Sequence, residues 1–305
     1  MLRILFIGSL GTQSVVTLKG LLASGQNLGV IAVAGSTVGL KAATPLRQRY
    51  IPVIDEKSSD NILSVAVKEG IPVEILQPND SGERLRPAML DVGIVSCFPH
   101  RLQEDLLQVP RLGCYNLHPS MLPRYRGPAP LFWQFRHGES ETGVTLYEMD
   151  QQIDTGDIFA QQRVPMSNGV TEAELSLQCA SQGVELIQAL LQQLESGMLR
   201  LTAQDERLAC HHGWPGVQDF HITTGWPAKR IYNFIRGTRH WGQPYTLRIG
   251  TQQFSIGSVD GYSQYPIPEK DYSVDGNRLR FNCYDGFVRA RLTVAGDPMS
   301  YHPQT

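Results

Sequence analysis

Five short apolar-rich runs in the first 117 residues constrain what this chain can fold into. They cover 2–8, 28–34, 71–75, 92–97 and 113–117. Each has the length of a buried strand, and stretches of a different texture separate them. Ser14 to Ser24 sets Val15, Leu18, Leu21 and Leu22 at helical spacing, and Gly25 follows as a stop. Asn61 to Glu69 repeats the pattern before Gly70, and Glu104 to Val109 predicts a third, shorter helix. Apolar periods of this kind mark helices and strands. Their alternation predicts an α/β, Rossmann-like, mostly parallel sheet.

Further on, Pro130 to His137 reads as a helix, and Gly143 to Met149 and Asp157 to Pro165 as strands around Asp154-Thr155-Gly156. Thr171 to Ser196 is the longest helical pattern, closed by Gly197. The character then changes. Residues 203–225 are rich in Gly, His and Gln and read as a linker. Pro227 to Gly237 reads as a short helix. From Tyr245 onward, short alternating runs are broken at Gly250, Asp260-Gly261, Asp275-Gly276-Asn277 and Asp285-Gly286, which predicts a small β-barrel or curled sheet. The expected organisation is a domain over 1–202, a linker over 203–225 and a β-rich, OB-like domain over 226–305. Residues 35–60, with Lys41, Pro45, Arg47, Arg49 and Pro52, read as irregular.

Bulk properties bound the function. The 305 residues are 41% hydrophobic, enough for ordinary cores. No apolar run approaches the roughly 18 residues of a membrane span. The chain enters a strand pattern at once, without a signal-peptide texture, so a soluble cytoplasmic protein with no membrane partner is expected. Five scattered cysteines form no C-x-x-C pair, and Cys210-His211-His212 reads as polar linker, so neither a disulfide framework nor a metal site is expected. The net charge of −2 splits into −4 over 1–202 and +2 over 203–305, too small an asymmetry to name a polyanionic partner.

Chemistry concentrates in Asn116-Leu117-His118-Pro119-Ser120-Met121-Leu122-Pro123-Arg124-Tyr125-Arg126-Gly127. Asn116 and His118 are two apart on a strand and so share a face. They sit at a strand's C-terminal end, where open α/β sheets bind ligands. Pro119 and Pro123 stiffen the loop that follows, and Gly127 lets it turn. Arg124, Tyr125 and Arg126 are candidates to clamp an anionic group. Asp154 adds a carboxylate from a Gly-bounded turn, a position that also suits a plain turn former. Gly8-Ser9-Leu10-Gly11 lacks the dinucleotide fingerprint, yet a helix N-terminus there suits an anion, so Gly8 and Leu10 are candidate substrate contacts.

The pattern N-x-H-x-S-x-L-P-x-Y-R-G, then Thr142-Gly143-Val144-Thr145, then Met149 and Asp154-Thr155-Gly156-Asp157, resembles the formyltransferases that use 10-formyltetrahydrofolate. The resemblance covers 1–200 as their catalytic domain, and Pro227 to Tyr245 with the β-rich tail is similar to the smaller domain of the methionyl-tRNA formyltransferases. It implies that Asn116, His118 and Asp154 are the catalytic trio. Asn116 and His118 donate to the oxyanion of a tetrahedral intermediate. Asp154 orients and charge-stabilises His118 or receives the amine proton. Ser120 is a loop residue and no nucleophile, in keeping with the missing G-x-S-x-G elbow.

It also implies that the folate lies between Ser96 to Leu102 and Met149 to Thr155, with Cys97, Phe98, Leu102, Ser120, Met149, Asp150, Ile153 and Thr155 as its contacts. The chain departs from its relatives by Cys97-Phe98-Pro99-His100-Arg101 where a Tyr-Gly pair is common, and by Pro119 where the initiator-tRNA enzymes have a small residue. The resemblance leaves the acceptor open among initiator methionyl-tRNA, a nucleotide-linked amino sugar and another small amine. Folate hydrolysis and a non-catalytic folate-binding module are further alternatives. Lys229, Arg230, Arg236 and Arg239 favour the tRNA, since they can follow a phosphate backbone.

Overall fold

In a computed structural model of the chain, residues 1–35, 61–265 and 271–293 are described. The segment 35–60, expected to be irregular, lies outside them from residue 36 onward, with Lys41, Arg47 and Arg49.

A seven-stranded sheet forms the first layer, in the order β3-β2-β1-β4-β5-β6-β7. Its strands are β1 (Arg3–Gly8), β2 (Asn27–Ala34), β3 (Val73–Leu76), β4 (Val92–Ser96), β5 (Cys114–His118), β6 (Glu141–Glu148) and β7 (Ile158–Pro165). β1 pairs in parallel with β2 and β4, and β4 with β5, while β6 and β7 are antiparallel additions. The expected mostly parallel sheet is what forms. The order reverses between β1 and β4, and a crevice opens outside the C-terminal ends of strands at such a switch point. Gly8, Ser96 and His118 all stand at that edge.

Helices cover both faces. They are α1 (Thr12–Ala23), α2 (Ile62–Glu69), α3 (Glu104–Leu107), α4 (Pro130–His137) and α5 (Glu172–Ser196). α2 and α5 start on side-chain caps. Asn61 accepts from Leu63 N and Ser64 N, and Thr171 and Glu174 cap each other reciprocally. Each such cap is worth roughly 1 kcal/mol. Gly70 and Gly197 close the same helices in the left-handed conformation. α1 and α5 pack together on one face of the sheet, with Val184 filling the space over Gly20.

The second sheet runs β11-β12-β13-β10-β9-β8, from β8 (His221–Ile222), β9 (Tyr245–Ile249), β10 (Gln252–Ser263), β11 (Tyr272–Asp275), β12 (Arg278–Cys283) and β13 (Gly286–Leu292). Two register shifts in the long β10 curl it. α6 (Ala228–Thr238) packs against β10 and β13 and meets α4, where Phe135 fills the space above Gly237. Phe132 anchors this seam, with ring centroids 5.2–5.6 Å from Phe220, Phe234 and Trp241.

The outer face of the β12–β13 hairpin has an unusual composition. Leu279, Phe281, Val288 and Ala290 point inward and are buried. Arg278, Arg280, Arg289 and Arg291 alternate with them and are exposed. The register sets Arg278 opposite Arg291 and Arg280 opposite Arg289. Arg291 pairs with Asp260 at 2.9 Å, and Arg280 lies over the Phe287 ring.

Candidate active site

β5 and β6 build the floor. Their antiparallel register sets Asn116 opposite Tyr147 and His118 opposite Thr145. Residues directly opposite share a face, so these four side chains stand together. Asp154 arrives from the turn between β6 and β7 and is 6% exposed.

Asp154 is pinned at both oxygens. Oδ1 accepts from the Tyr147 hydroxyl at 2.8 Å, and Oδ2 from the Gly127 amide at 2.7 Å. The hydroxyl of Tyr147 in turn accepts from Asn116 Nδ2 at 3.1 Å. The His118 ring lies with Nδ1 3.7 Å from Asp154 Oδ1 and Nε2 2.9 Å from the Tyr125 carbonyl oxygen. A carbonyl only accepts, so Nε2 carries the proton. In the neutral ring Nδ1 is then a lone pair beside a carboxylate. Once it takes a proton, that carboxylate stabilises the cation.

The loop after β5 delivers these contacts because its backbone is held from several sides. Ser120 Oγ donates to the Arg124 carbonyl at 2.7 Å from a fully buried side chain, so it braces the loop and is not open to the folate contact expected of it. Thr145 Oγ1 donates to the Ser120 carbonyl at 2.6 Å and accepts from Leu122 N at 3.1 Å. Gln161 Nε2 reaches the Leu122 carbonyl at 2.9 Å. At the loop's end Gly127 has φ +115°, and a Cβ there would sit 1.9 Å from the His212 carbonyl oxygen. A side chain would therefore push away the amide that holds Asp154.

Three residues at this edge other than glycine have positive φ: Cys97 at 58°, Tyr125 at 62° and Asp154 at 59°. Such backbone costs roughly 1–3 kcal/mol per residue and persists where surroundings over-determine it. At Tyr125 the surroundings come from 203–212. Cys210 N donates to the Pro123 carbonyl, Arg126 N to the Cys210 carbonyl at 2.9 Å, and His212 N to the Arg126 carbonyl at 2.9 Å. The segment expected as a linker thus lays a short extended stretch along the loop. His212 stacks on Trp133 and Tyr125, with centroids 4.8 and 5.5 Å away.

Other candidates fall in different places. Arg126 is buried, and its guanidinium is taken up by Gln204 and Glu206 at 2.6–3.3 Å. The Arg124 side chain pairs with Glu139 at 2.5 Å, and the Tyr125 hydroxyl donates to the same carboxylate at 2.6 Å. All three therefore brace the loop, though the Arg124 guanidinium stays about half exposed. Burial and Glu139 together raise the Tyr125 phenol above its ordinary range. A Cβ at position 8 would crowd Phe6 and Ser14 at 2.9–3.0 Å, so Gly8 suits the tight turn, and half-buried Leu10 follows before α1.

On the expected folate side, Leu102, Phe98 and Met149 join one apolar cluster with Leu5, Ile7 and Val95 beneath the crevice. Cys97 is exposed at the tip of β4, and Ile153 is 49% exposed beside Asp154. Asp150 accepts from the Thr155 hydroxyl at 2.8 Å and from Gln152 N at 2.9 Å, which ties up the turn that carries Asp154. Gln204 grips the same turn by donating to the Asp154 and Gly156 carbonyls at 3.0 and 2.8 Å.

Tyr147, Gln204 and the Gly127 amide were absent from the sequence reading. Tyr147 had one visible signal, its place on the same expected strand two residues after the T-G-V-T stretch. Of the four basic residues expected to follow a phosphate backbone, Arg230 stacks on Trp226 and donates to the Arg136 carbonyl at 2.6 Å. Arg236 donates to the Gly169 carbonyl at 2.5 Å. Among the described residues, no such tie holds the side chains of Lys229 and Arg239.

The formyl transferase family model matches residues 2–191, and the chain belongs to that family of one-carbon transferases. Within it the chain is methionyl-tRNA formyltransferase-like. It is 39% identical to the methionyl-tRNA formyltransferase of Chlamydia pneumoniae over 241 residues, 74% of each chain. To that of Agathobacter rectalis it is 30% identical over 267 residues, 87% of this chain and 83% of the other. Among solved structures, a sugar 3N-formyl transferase crystallised with dTDP and 5-N-formyl-THF covers 96% of this chain and 98% of its own. The TM-score is 0.66 at 18% identity, a likeness of fold.

Proposed function

We propose that the protein transfers the formyl group of 10-formyltetrahydrofolate to the primary amine of methionyl-tRNA, and that Asn116, His118 and Asp154 carry the chemistry. The convergence of these three at the C-terminal end of β5 is the observation behind the reading.

The amine nitrogen attacks the formyl carbon. Asn116 donates a hydrogen bond to the oxyanion that forms. His118, with Nε2–H held on the Tyr125 carbonyl, takes the amine proton at Nδ1, and Asp154 stabilises the imidazolium. The imidazolium then returns the proton to the departing folate nitrogen as the carbon–nitrogen bond breaks. This refines the role expected for His118, because a ring with Nε2–H already engaged offers the oxyanion no donor until Nδ1 is protonated. Cys97, Phe98, Leu102, Met149, Asp150, Ile153 and Thr155 are proposed to line the folate site, with Gly8 and Leu10 on the acceptor side. Residues 1–202 act as the catalytic domain and 226–305 as the acceptor-binding domain of a cytoplasmic enzyme.

The arginine face of β12–β13 favours the tRNA over a small amine. Like charges directly opposite destabilise a sheet by a few tenths to about 1 kcal/mol. Two such pairs on one exposed face suit a polyanion. Filter binding to initiator methionyl-tRNA from about 50 to 200 mM salt tests this. A steep loss of affinity supports it. A flat response, with formylation of a nucleotide-linked amino sugar, selects the alternative.

A further inference from the structure

Tyr147 stands between the two ends of the catalytic trio and has no role in the reaction as written above. Its ring is 1% exposed on β6, opposite Asn116. Its hydroxyl has a single hydrogen, and a carboxylate can only accept, so that hydrogen goes to Asp154 Oδ1 at 2.8 Å. The phenol oxygen must then accept from Asn116, and it does so from Nδ2 at 3.1 Å. Burial first, and the charge of Asp154 second, push the phenol well above its ordinary range, so it keeps the proton this direction requires.

Direction matters because an amide side chain has two faces of opposite polarity. Rotated by half a turn, Asn116 would offer a carbonyl lone pair where an oxyanion forms. A hydroxyl already committed to Asp154 can receive only the NH2 end. We infer that Tyr147 is a positioning residue: it locks the Asn116 amide with Nδ2 toward the site and ties that orientation to the Asp154 carboxylate. The other Nδ2 hydrogen is thereby left for the reacting oxygen. This rests on the formyl-transfer function proposed above.

Tyr147→Phe removes the hydroxyl and keeps the ring, so the core beneath β6 stays filled. Two readouts are taken on the full chain. In nitrogen-15-labelled protein, the Asn116 side-chain amide pair should be well dispersed and slow to exchange, and Tyr147→Phe should shift it and speed its exchange. In turnover with 10-formyltetrahydrofolate, kcat should fall about ten- to a hundredfold, the scale of a misplaced catalytic group. KM for the folate should stay within about twofold, since the lost interaction acts in the transition state. In an Asn116→Ala background, Tyr147→Phe should cost at most about a further twofold, since the two act as a unit.

An unchanged Asn116 amide signal, or full additivity of the two substitutions, overturns the inference while leaving formyl transfer intact. A wild-type protein that formylates no amine at all overturns the proposed function and this inference with it.

Discussion

His118 has one ring nitrogen free for chemistry, because Nε2 is held 2.9 Å from the Tyr125 carbonyl oxygen. His118→Ala should lose at least about a hundredfold in kcat, the range of general acid–base terms. Asp154→Asn should lose as much, since the amide keeps the shape and removes the charge facing Nδ1. Steady-state rates with each variant decide this, and near-normal rates in both would reject the assigned roles. Asn116 and His118 were legible in the sequence because a strand sets positions two apart on one face. Tyr147 was not, because a buried tyrosine on a strand most often serves packing, and only the register with β5 shows what its hydroxyl meets.

At the scale of elements, the loop 119–127 depends on the segment 203–212. A polar, His- and Gly-rich stretch reads as a linker, since its order comes from backbone bonds to the loop and not from an apolar pattern. Gln204 matters most there. One side-chain amide holds the Asp154 and Gly156 carbonyls, while its oxygen receives Arg126. Gln204→Ala should therefore lower kcat about tenfold or more through displaced Asp154. Thermal melting of the same variant should shift by only a few degrees, as expected for about 1–2 kcal/mol in a chain this long. A large loss of stability with unchanged kcat would show the segment to be scaffold alone. The strands and long helices, by contrast, were readable within a few residues, since Thr171, Gly70 and Gly197 supply caps and stops with local physical causes.

The whole molecule joins two sheets through the seam of α4 and α6, and one carboxylate sits at its edge. Glu172, at the start of α5, accepts from Trp241 Nε1 at 3.0 Å, with His240 3.8 Å away. Burial pushes its carboxyl up to about 7. A pKa raised by folding means that the folded state binds the proton more tightly. The stability from this group is full below its ordinary value near 4.5 and is lost as pH rises through about 7. Glu172→Gln should thus be the more stable protein at pH 8, by roughly 1–3 kcal/mol, and no more stable at pH 4. Denaturant melts at the two pH values check the sign. The β12–β13 arginines make a second prediction at this scale. Arg280→Gln with Arg289→Gln should reduce the salt slope of tRNA binding by about two, one per lost phosphate contact. That these two strands pair arginine to arginine was not legible in the sequence, because it needs the hairpin register.

All these effects hang on one reaction. The most direct test incubates the protein with 10-formyltetrahydrofolate and charged initiator tRNA, beside a nucleotide-linked amino sugar and small amines, and reads each amine by mass. The account predicts that methionyl-tRNA gains one formyl group, that tetrahydrofolate is released in equal amount, and that His118→Ala abolishes both within the assay time. Tetrahydrofolate released without any formylated amine, or formylation by His118→Ala at a near-normal rate, would contradict it.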